Sequence, residues 1–197
     1  MKLFSPIYLI GAGGYGKQIF SILKDNEYKI KPTLVDDKLR LSIKKFKKFK
    51  KNTNYNITIG NVKLREKIHK FLKKKNFFFS NIIFNGSKIY TDKIGKGSII
   101  EPHTMICNDV KLGISNFILT GSSIGHNTKM GNFCNVGCNV TISGDVKIGK
   151  NVVIGGQSFI SNDINICDNV VISPGSTVLS DIKKPGVYNG NLLIKKF

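Results

Sequence analysis

The sequence predicts an α/β plus all-β protein, in which a small Rossmann-like βαβαβ domain over residues 1–85 precedes a parallel β-helix over residues 86–197. Two observations carry this prediction. A glycine-rich turn near the N-terminus separates an apolar strand from a helix, and an unbroken six-residue apolar period runs from Ile94 to Val178. A length of 197 residues leaves room for both domains to bury a core.

The N-terminal turn has the order of elements that a phosphate-binding loop needs. An apolar strand over residues 7–10 ends in GAGGYG (residues 11–16), and the following helix carries Ile19, Ile22 and Leu23 on one face. Backbone N–H groups at the N-terminus of such a helix can hold phosphate. A turn that only allows close helix–strand packing is the alternative. An NAD-dependent oxidoreductase is disfavoured because the second nucleotide-binding half is missing.

The remaining elements of this domain alternate strand and helix. KPTLVDDK (residues 31–38) predicts a second strand that ends at Asp36 and Asp37, and NYNITIGN (54–61) predicts a third that ends at Gly60 and Asn61. VKLREKIHKFLKKK (62–75) predicts a second helix, and NIIF (81–84) predicts a fourth strand. The acids after the second strand, about twenty residues beyond the glycine turn, strengthen the prediction of a nucleotide site.

The second domain is predicted from its repeats. Every sixth residue from Ile94 to Val178 is apolar, and glycine often follows it. This period fits no helix, and the segment is too rich in Gly and β-branched residues to be helical. A short strand and a corner every six residues close a triangular coil of about eighteen residues, so stacked coils form a parallel β-helix of roughly five coils. The repeated aliphatic side chains point inward, and we expect the glycines to permit the corners.

The net charge of +19 comes almost entirely from lysine, since Arg40 and Arg65 are the only arginines. Proteins that read nucleic acids usually use arginine for bidentate contacts. Solvated lysine faces are therefore the favoured interpretation, and a nucleic-acid partner is disfavoured.

Location is predicted from what the sequence lacks. No run of eighteen apolar residues appears, the N-terminus has no signal-peptide pattern, and the four cysteines form no CxxC pair. We expect reduced structural thiols and a cytoplasmic protein with no membrane span.

Taken together, the two domains resemble the hexapeptide-repeat sugar acetyltransferases of the bacillosamine N-acetyltransferase and sialic acid O-acetyltransferase type, which modify nucleotide-linked 4-amino sugars among other substrates. The matching segments are LIGAGGYGK, LVDDK, ITIGNVKLREKI, SSIGHNTKMGNFCNVGCNVTISGDVKIGKNVVIGG and KPGVYNGN, and they extend over the whole chain. The resemblance implies a left-handed β-helix that binds acetyl-CoA, a first domain that binds the nucleotide sugar, no metal, and a homotrimer with active sites between neighbouring helices.

The resemblance also implies roles for individual residues. His126 matches the general base, and Asn127 follows it where the family usually has Asp or Glu. The implied substrate-binding residues are Gly11, Gly13, Gly14, Tyr15, Asp36, Asp37, Gly60 and Asn61, with the two acids at the uracil end of a UDP sugar. The implied acetyl-CoA-binding residues are Asn135, Gly144, Gly156 and Lys183, with the Gly144 N–H on the acetyl carbonyl.

Elementary chemistry agrees with these roles. An amine that attacks a thioester must lose a proton, and imidazole is the side chain that accepts protons near neutral pH. A fixed backbone N–H can stabilise the negative oxygen of the tetrahedral intermediate. No acyl-enzyme is required, so we expect Cys134 to be structural. His69, among lysines, and His103, on an earlier coil, are expected at the surface.

The predicted function is acetyl transfer from acetyl-CoA to the amine of a UDP-linked 4-amino-4,6-dideoxy sugar, for bacterial surface glycan synthesis. O-acetylation of sialic acid or another sugar is the alternative, as is a non-catalytic nucleotide-sugar-binding scaffold. A zinc enzyme like the γ-type carbonic anhydrases is disfavoured because only His103 and His126 lie in the repeats. Three residues depart from the family pattern: Asn127, which can orient the imidazole but supplies no charge; Asn135, where many relatives have a second histidine; and Leu192, where a proline is usual.

Overall fold

The computed structural model describes residues 7–24, 32–35 and 54–197. The chain divides into two compact units, Met1–Asn81 and Ile82–Phe197. The predicted fold class, a Rossmann-like α/β domain followed by a left-handed parallel β-helix, is confirmed. The division falls four residues before the predicted one at 85/86, because the β-helix already begins at Ile82.

In its described residues, the first unit is a four-stranded parallel sheet with two helices. Its elements are β1 (Ile7–Ile10), α1 (Gly14–Lys24), β2 (Pro32–Val35), β3 (Asn54–Ile57), α2 (Val62–Lys73) and β4 (Phe78–Phe79). The strand order is β2-β1-β3-β4, so the chain leaves β1 to one side and later returns to its other side. Such a switch point opens a crevice at the carboxyl ends of the two central strands, β1 and β3.

Amphipathic periodicity positions both helices. In α1, Gly16, Ile19 and Leu23 are buried, as the spacing predicted for the last two. In α2, Arg65, His69 and Leu72 are buried, at a spacing of three and four residues.

The prediction that His69 lies at the surface is wrong. Its imidazole is only 4% exposed and stacks on the ring of Phe79 with centroids 4.1 Å apart. Burial, and to a lesser extent the charge of Lys73, lowers the pKa of His69 to about 4. The lysines around His69 in the sequence indicated a solvated helix face, but His69 lies on the face of α2 that packs on the sheet.

The prediction of a fourth strand of this sheet at residues 81–84 is also wrong. The fourth strand is β4, which pairs with β3, whereas Ile82 and Ile83 pair with the first full coil of the β-helix. The apolar run at Ile82 therefore starts the second domain. Ile82 and Ile83 fit the apolar pattern of a strand in either sheet, so only the strand they pair with shows which sheet they belong to.

The β-helix consists of short strands on three sides. In chain order they are β5 (Ile82–Ile83), β6 (Lys88–Ile89), β7 (Ile99–Ile100), β8 (Met105–Ile106), β9 (Lys111–Leu112), β10 (Phe117–Ile118), β11 (Ser123–Ile124), β12 (Lys129–Met130), β13 (Asn135–Val136), β14 (Thr141–Ile142), β15 (Lys147–Ile148), β16 (Val153–Ile154), β17 (Phe159–Ile160), β18 (Asn165–Ile166), β19 (Val170–Ile172) and β20 (Thr177–Val178). A hairpin of β21 (Gly186–Asn189) and β22 (Leu192–Lys195) ends one side.

Six parallel strands stack on the side formed by β6, β8, β11, β14, β17 and β20, so there are about six coils and not five. The six-residue period did not predict the first coil, because the inward residues of this coil, Ile83, Ile89 and Ile94, are spaced by six and then by five residues. Ile89 consequently pairs with Ile106, seventeen residues later, while the strands from β7 to β20 pair at an offset of eighteen.

The core of this domain is the predicted ladder of aliphatic side chains. Ile100, Ile118, Ile124, Val136 and their counterparts in other coils are almost fully buried in one continuous cluster. Burying such side chains contributes about 1.5–3 kcal/mol each, which is how these short strands are held together.

The corners use Asn and Asp for the left-handed backbone. Three residues after the inward aliphatic position, φ is between +55° and +62° in eleven coil corners, at His103, Asp109, Ser115, Asn127, Phe133, Asn139, Asp145, Asn151, Gln157, Asp163 and Asn169. Asn and Asp tolerate this conformation better than other non-glycine residues. At three further corners glycine itself takes a positive φ, as predicted: +80° at Gly97, +73° at Gly121 and +68° at Gly175. The glycines directly after the inward residue serve close stacking instead: a Cβ on Gly125 would lie 2.5 Å from the backbone nitrogen of Gly144 in the next coil.

Candidate active site

His126 occupies a coil corner between β11 and β12. The preceding Ile124 points into the core with no exposed surface, whereas the His126 side chain is 64% exposed. The backbone oxygen of His126 accepts a hydrogen bond from the N–H of Asp145, 2.8 Å away in the next coil. The corner therefore fixes the backbone while leaving the imidazole accessible to a substrate.

Gly144 lies directly beside this imidazole in the next coil. A Cβ built on Gly144 would come within 2.5 Å of Cε1 of His126, so the ring occupies the space that a side chain would take. Among the described residues, none accepts a hydrogen bond from the Gly144 N–H. A backbone donor next to a basic side chain has the composition of an oxyanion site, and the structure brings together two residues that the sequence linked only through resemblance.

Asp145 completes this group, and sequence reasoning missed it. Its carboxylate Oδ2 lies 3.4 Å from Nδ1 of His126, and its Oδ1 accepts a hydrogen bond of 2.9 Å from Nδ2 of Asn127. Nδ2 of Asn127 also lies 3.3 Å from Nδ1 of His126. The available signal was the coil length, because residues eighteen apart stack and 145 follows 127 by that number.

A surface cleft of about 350 Å³ adjoins Asn127 and Asp145. Its lining residues are Lys93, Asp109, Lys111, Asn127, Lys129, Asp145 and Lys147. Lys111, Lys129 and Lys147 pair in register on successive coils, so their ammonium groups form a row beside the His126 corner. Such a row of like charges favours anionic ligands.

The other residues predicted to bind acetyl-CoA are spread around the coil. Asn135 is half-buried on β13, and Gly156 lies in the corner after β16. Lys183 lines a second cleft of about 720 Å³ that also includes Lys129 and Lys147. Within one chain the structure does not gather these three residues around His126.

In the first unit, the predicted glycine turn lies at the switch point of the sheet. Gly11 has a φ of +124°, and its carbonyl oxygen accepts a hydrogen bond of 2.9 Å from Oγ1 of Thr58, which follows β3. Gly13 and Gly14 are exposed, and Tyr15 is half-buried in the first turn of α1. Thr58, a polar residue at a strand end, ties the two central strands together and was not predicted.

Gly60 and Asn61 form the second loop at this crevice. Oδ1 of Asn61 accepts a hydrogen bond of 2.9 Å from the N–H of Leu64 and so caps α2. The buried guanidinium of Arg65 donates from Nη1 to the carbonyl oxygens of Ile59, at 2.7 Å, and Gly60, at 3.3 Å. Arg65 thus holds this loop in place. Asp36 and Asp37 lie outside the described residues.

The cysteines of the described coils are free thiols. Cys134 is buried, and its Sγ donates to the carbonyl oxygen of Gly149 at 3.1 Å, as a structural thiol would. Burial and the neighbouring Asp168 raise the pKa of the Cys167 thiol. In the parts of the chain that are described, no three His, Cys, Asp or Glu side chains cluster closely enough to hold a metal, and neither helix could cross a membrane.

Two family models match this chain. Residues 6–72 match the PglD N-terminal domain, and residues 127–162 match the bacterial transferase hexapeptide (six repeats). The second match begins at Asn127 and includes Gly144 and Asp145. The two matches thus fall on the glycine turn and on the coils next to His126.

Solved structures with similar folds extend over nearly the whole chain. The acetyltransferase domain of PglB from Neisseria gonorrhoeae in complex with acetyl coenzyme A matches with a TM-score of 0.86 and 18% identity, over 96% of this chain and 98% of its own. A mutant perosamine N-acetyltransferase from Caulobacter crescentus, in complex with CoA and GDP-perosamine, matches with a TM-score of 0.80 and 18% identity, over 94% and 95%. WeeI from Acinetobacter baumannii matches with a TM-score of 0.64 and 19% identity, over 98% and 100%.

At these identities the likeness establishes the fold. Together with the two domain matches, it confirms the predicted resemblance to hexapeptide-repeat sugar acetyltransferases of the bacillosamine N-acetyltransferase type.

Proposed function

We propose that this chain is an acetyltransferase that moves the acetyl group of acetyl-CoA to the amine of a nucleotide-linked 4-amino-4,6-dideoxy sugar. The observation that carries the proposal is the pairing of an exposed imidazole, His126, with the unused backbone N–H of Gly144 in the next coil. The match to an acetyl-CoA complex and to a GDP-perosamine complex supports both substrates.

The reaction needs one base and one oxyanion donor. The sugar amine attacks the thioester carbonyl carbon, and Nε2 of His126 takes a proton from the nitrogen as the C–N bond forms. The N–H of Gly144 stabilises the negative oxygen of the tetrahedral intermediate. The C–S bond then breaks, the carbonyl reforms, and His126 returns the proton to the CoA sulfur, which leaves as the thiol.

The nucleotide sugar is assigned to the crevice of the first domain. The turn at residues 11–13 and the N-terminus of α1 follow β1, and the loop of Gly60 and Asn61 follows β3, so both lie at the carboxyl edge where such folds bind phosphates. UDP is the expected nucleotide, with Asp36 and Asp37 at its base. On the β-helix, the row of lysines beside His126 provides a positive field that suits phosphate-bearing substrates.

The oligomeric state, the cellular location and the biological role are proposed from the resemblance to the same sugar acetyltransferases. We assign a homotrimer in which acetyl-CoA contacts Asn135, Gly156 and Lys183, a cytoplasmic location, and a role in surface glycan synthesis. Light scattering tests the trimer, for which three chains of 21.9 kDa should move as one particle. A monomeric mass would contradict it.

A panel of acceptors tests the reaction itself. The protein is mixed with acetyl-CoA and with UDP-, GDP- or dTDP-linked 4-amino-4,6-dideoxy sugars, or with free sialic acid, and mass spectrometry follows the acetylated product. We expect product with the UDP amino sugar. Acetylation of sialic acid alone would instead establish the O-acetyltransferase alternative, and nucleotide-sugar binding without product would establish the scaffold.

Two histidine variants test the mechanism. His126→Asn should abolish most product formation, whereas His103→Asn should leave it unchanged. His103 is a suitable control because it is also exposed on a coil corner, with a φ of +59° that Asn tolerates. Full activity of His126→Asn would refute the assignment of the base.

A further inference from the structure

Asn127 is not itself an acid, but its side chain hydrogen-bonds the carboxylate of Asp145. Of its two contacts, the hydrogen bond from Nδ2 to Oδ1 of Asp145 is shorter, at 2.9 Å, than the 3.3 Å approach to Nδ1 of His126. An amide donor prefers the charged acceptor, since hydrogen bonds to carboxylates are stronger than neutral ones. The Asn127 amide therefore fixes one oxygen of the carboxylate.

The other oxygen of that carboxylate faces the imidazole. Oδ2 of Asp145 lies 3.4 Å from Nδ1 of His126 and is the acidic oxygen in contact with this ring among the described residues. An imidazole whose Nδ1 carries the proton and donates to a carboxylate keeps a lone pair on Nε2. Nε2 is the nitrogen that must accept the proton of the amine.

Positions 127 and 145 are equivalent corners of successive coils. Their φ values are +59° and +62°, and the N–H of Asp145 donates to the backbone oxygen of His126 at 2.8 Å. Because the coils stack directly, a carboxylate on either corner comes close to the same imidazole. Position 145 can therefore supply the acid in place of position 127 without a change in the backbone.

We infer that Asp145 is the positioning residue for the His126 base, supplied by the following coil in place of an acid at position 127. The effect on kcat that this inference predicts rests on the proposed function, whereas the predicted tautomer and orientation of the imidazole do not. Asp145 sets the tautomer and orientation of the imidazole and stabilises its charged form after proton transfer. Asn127 orients Asp145, and the pair replaces one acidic side chain.

Kinetics with a relocated carboxylate test the inference. Asp145→Asn is nearly isosteric and suits the left-handed corner, so the fold should persist. We expect kcat to fall by about 10- to 100-fold with KM for both substrates within about twofold. This is less than the ~10⁴-fold loss known for a buried partner acid, because the Asp145 side chain is 43% exposed. The double variant Asn127→Asp/Asp145→Asn should restore kcat to within about threefold.

Asp163→Asn is the matched control. Asp163 occupies the same corner one coil further on, with a φ of +59°, and hydrogen-bonds Asn162 rather than a histidine. Its kcat should not change. An unchanged kcat in Asp145→Asn, or an equal loss in Asp163→Asn, would overturn the inference.

A measurement without substrate separates this inference from the proposed function. Nitrogen-15 NMR of the full-length protein near pH 8.5 reports which ring nitrogen of each histidine carries the proton, and His126→Asn assigns the signal among only three histidines. We expect His126 protonated on Nδ1 in the wild type, with that preference reduced in Asp145→Asn and regained in the double variant. The same tautomer in all three proteins would overturn the inference even if the enzyme is active, and the expected pattern would support it even if no acceptor is acetylated.

Discussion

The imidazole of His126 fills the space beside Gly144 that a side chain would take, since the ideal Cβ position of Gly144 is only 2.7 Å from Nε2 of His126. The base and the oxyanion donor can therefore lie next to each other only because residue 144 has no side chain. Residues 126 and 144 take the same place in successive coils, so the stacking of the β-helix alone creates this relationship.

Gly144→Ala should impair catalysis without unfolding the protein. The new methyl group meets the far end of an exposed, movable side chain, so we expect a thermal midpoint within about two degrees of wild type. The displaced imidazole should lower kcat by about 100-fold, because misplacement of a reacting group by about 1 Å has effects of that size. Acetyl-CoA turnover and a melting curve measure both quantities.

The control for this variant is Asn162→Ala, at the same corner of the next coil. It should retain wild-type kcat. Equal activity of Gly144→Ala and wild type would contradict the close packing of the ring on this glycine.

Gly16→Ala should destabilise the first domain. A Cβ on Gly16 would overlap the carbonyl oxygen of Gly11, so α1 and β1 would have to separate. Overpacking of this kind costs about 1–3 kcal/mol in the free energy of unfolding. Urea denaturation followed by circular dichroism measures the loss.

Gly14→Ala, in the same turn, is the matched comparison. A Cβ there meets no atom within 4 Å, and the residue begins α1. We expect equal or slightly greater stability, by about 0.4–1 kcal/mol, because alanine restricts the unfolded chain. Equal stability of the Gly16 and Gly14 variants would show that helix–strand contact does not depend on Gly16.

The buried His69 should make the first domain less stable as the pH falls. The unfolded chain binds a proton on this residue below its ordinary pKa of about 6.5, whereas the folded protein binds it only below the lowered pKa of about 4. Acidification between these values therefore favours the unfolded state, by up to about 3 kcal/mol for a shift of this size. Full stability is retained above about pH 6.5.

Unfolding in urea at pH 7 and at pH 4.5, compared between wild type and His69→Phe, isolates this effect. Phenylalanine keeps the stacking on Phe79 and has no proton to bind. We expect a smaller loss of stability on acidification in the variant. An identical pH dependence in the two proteins would show that His69 titrates normally.

Arg65→Met should weaken binding of the nucleotide sugar more than it slows the reaction. The variant loses the hydrogen bonds to the carbonyl oxygens of Ile59 and Gly60, so the loop that precedes α2 loses its support. We expect KM for the nucleotide sugar to rise about tenfold, KM for acetyl-CoA to stay unchanged, and stability to fall by about 1–3 kcal/mol. Steady-state kinetics with each substrate varied in turn distinguish these effects.

Lys67→Ala, an exposed residue on the same helix, is the control and should behave as wild type. An equal rise in both KM values of Arg65→Met would assign Arg65 a general structural role only.

Local patterns were sufficient for most of the architecture. Strand β1, the glycine turn, both helices and the inward ladder from Ile94 onward are encoded by patterns that span only a few neighbouring residues. All were predicted in the right order, although α1 begins at Gly14, inside the turn predicted for residues 11–16. The ladder also placed Ile124 in the core and hence His126 on the outside. Patterns of this kind fail where a register shifts, which is why the five-residue step from Ile89 to Ile94 hid the first coil.

The sequence by itself thus determined a strand–turn–helix unit, a coil repeat, and the outward position of His126. Only the tertiary structure decided what surrounds that histidine: Gly144 and Asp145 reach it from a coil eighteen residues away, and His69 turns from an apparent surface lysine cluster to stack on Phe79. The physical reason is the same in each case. Which side chains meet depends on how coils stack and which face of a helix meets a sheet, and neither contact involves neighbours in the chain.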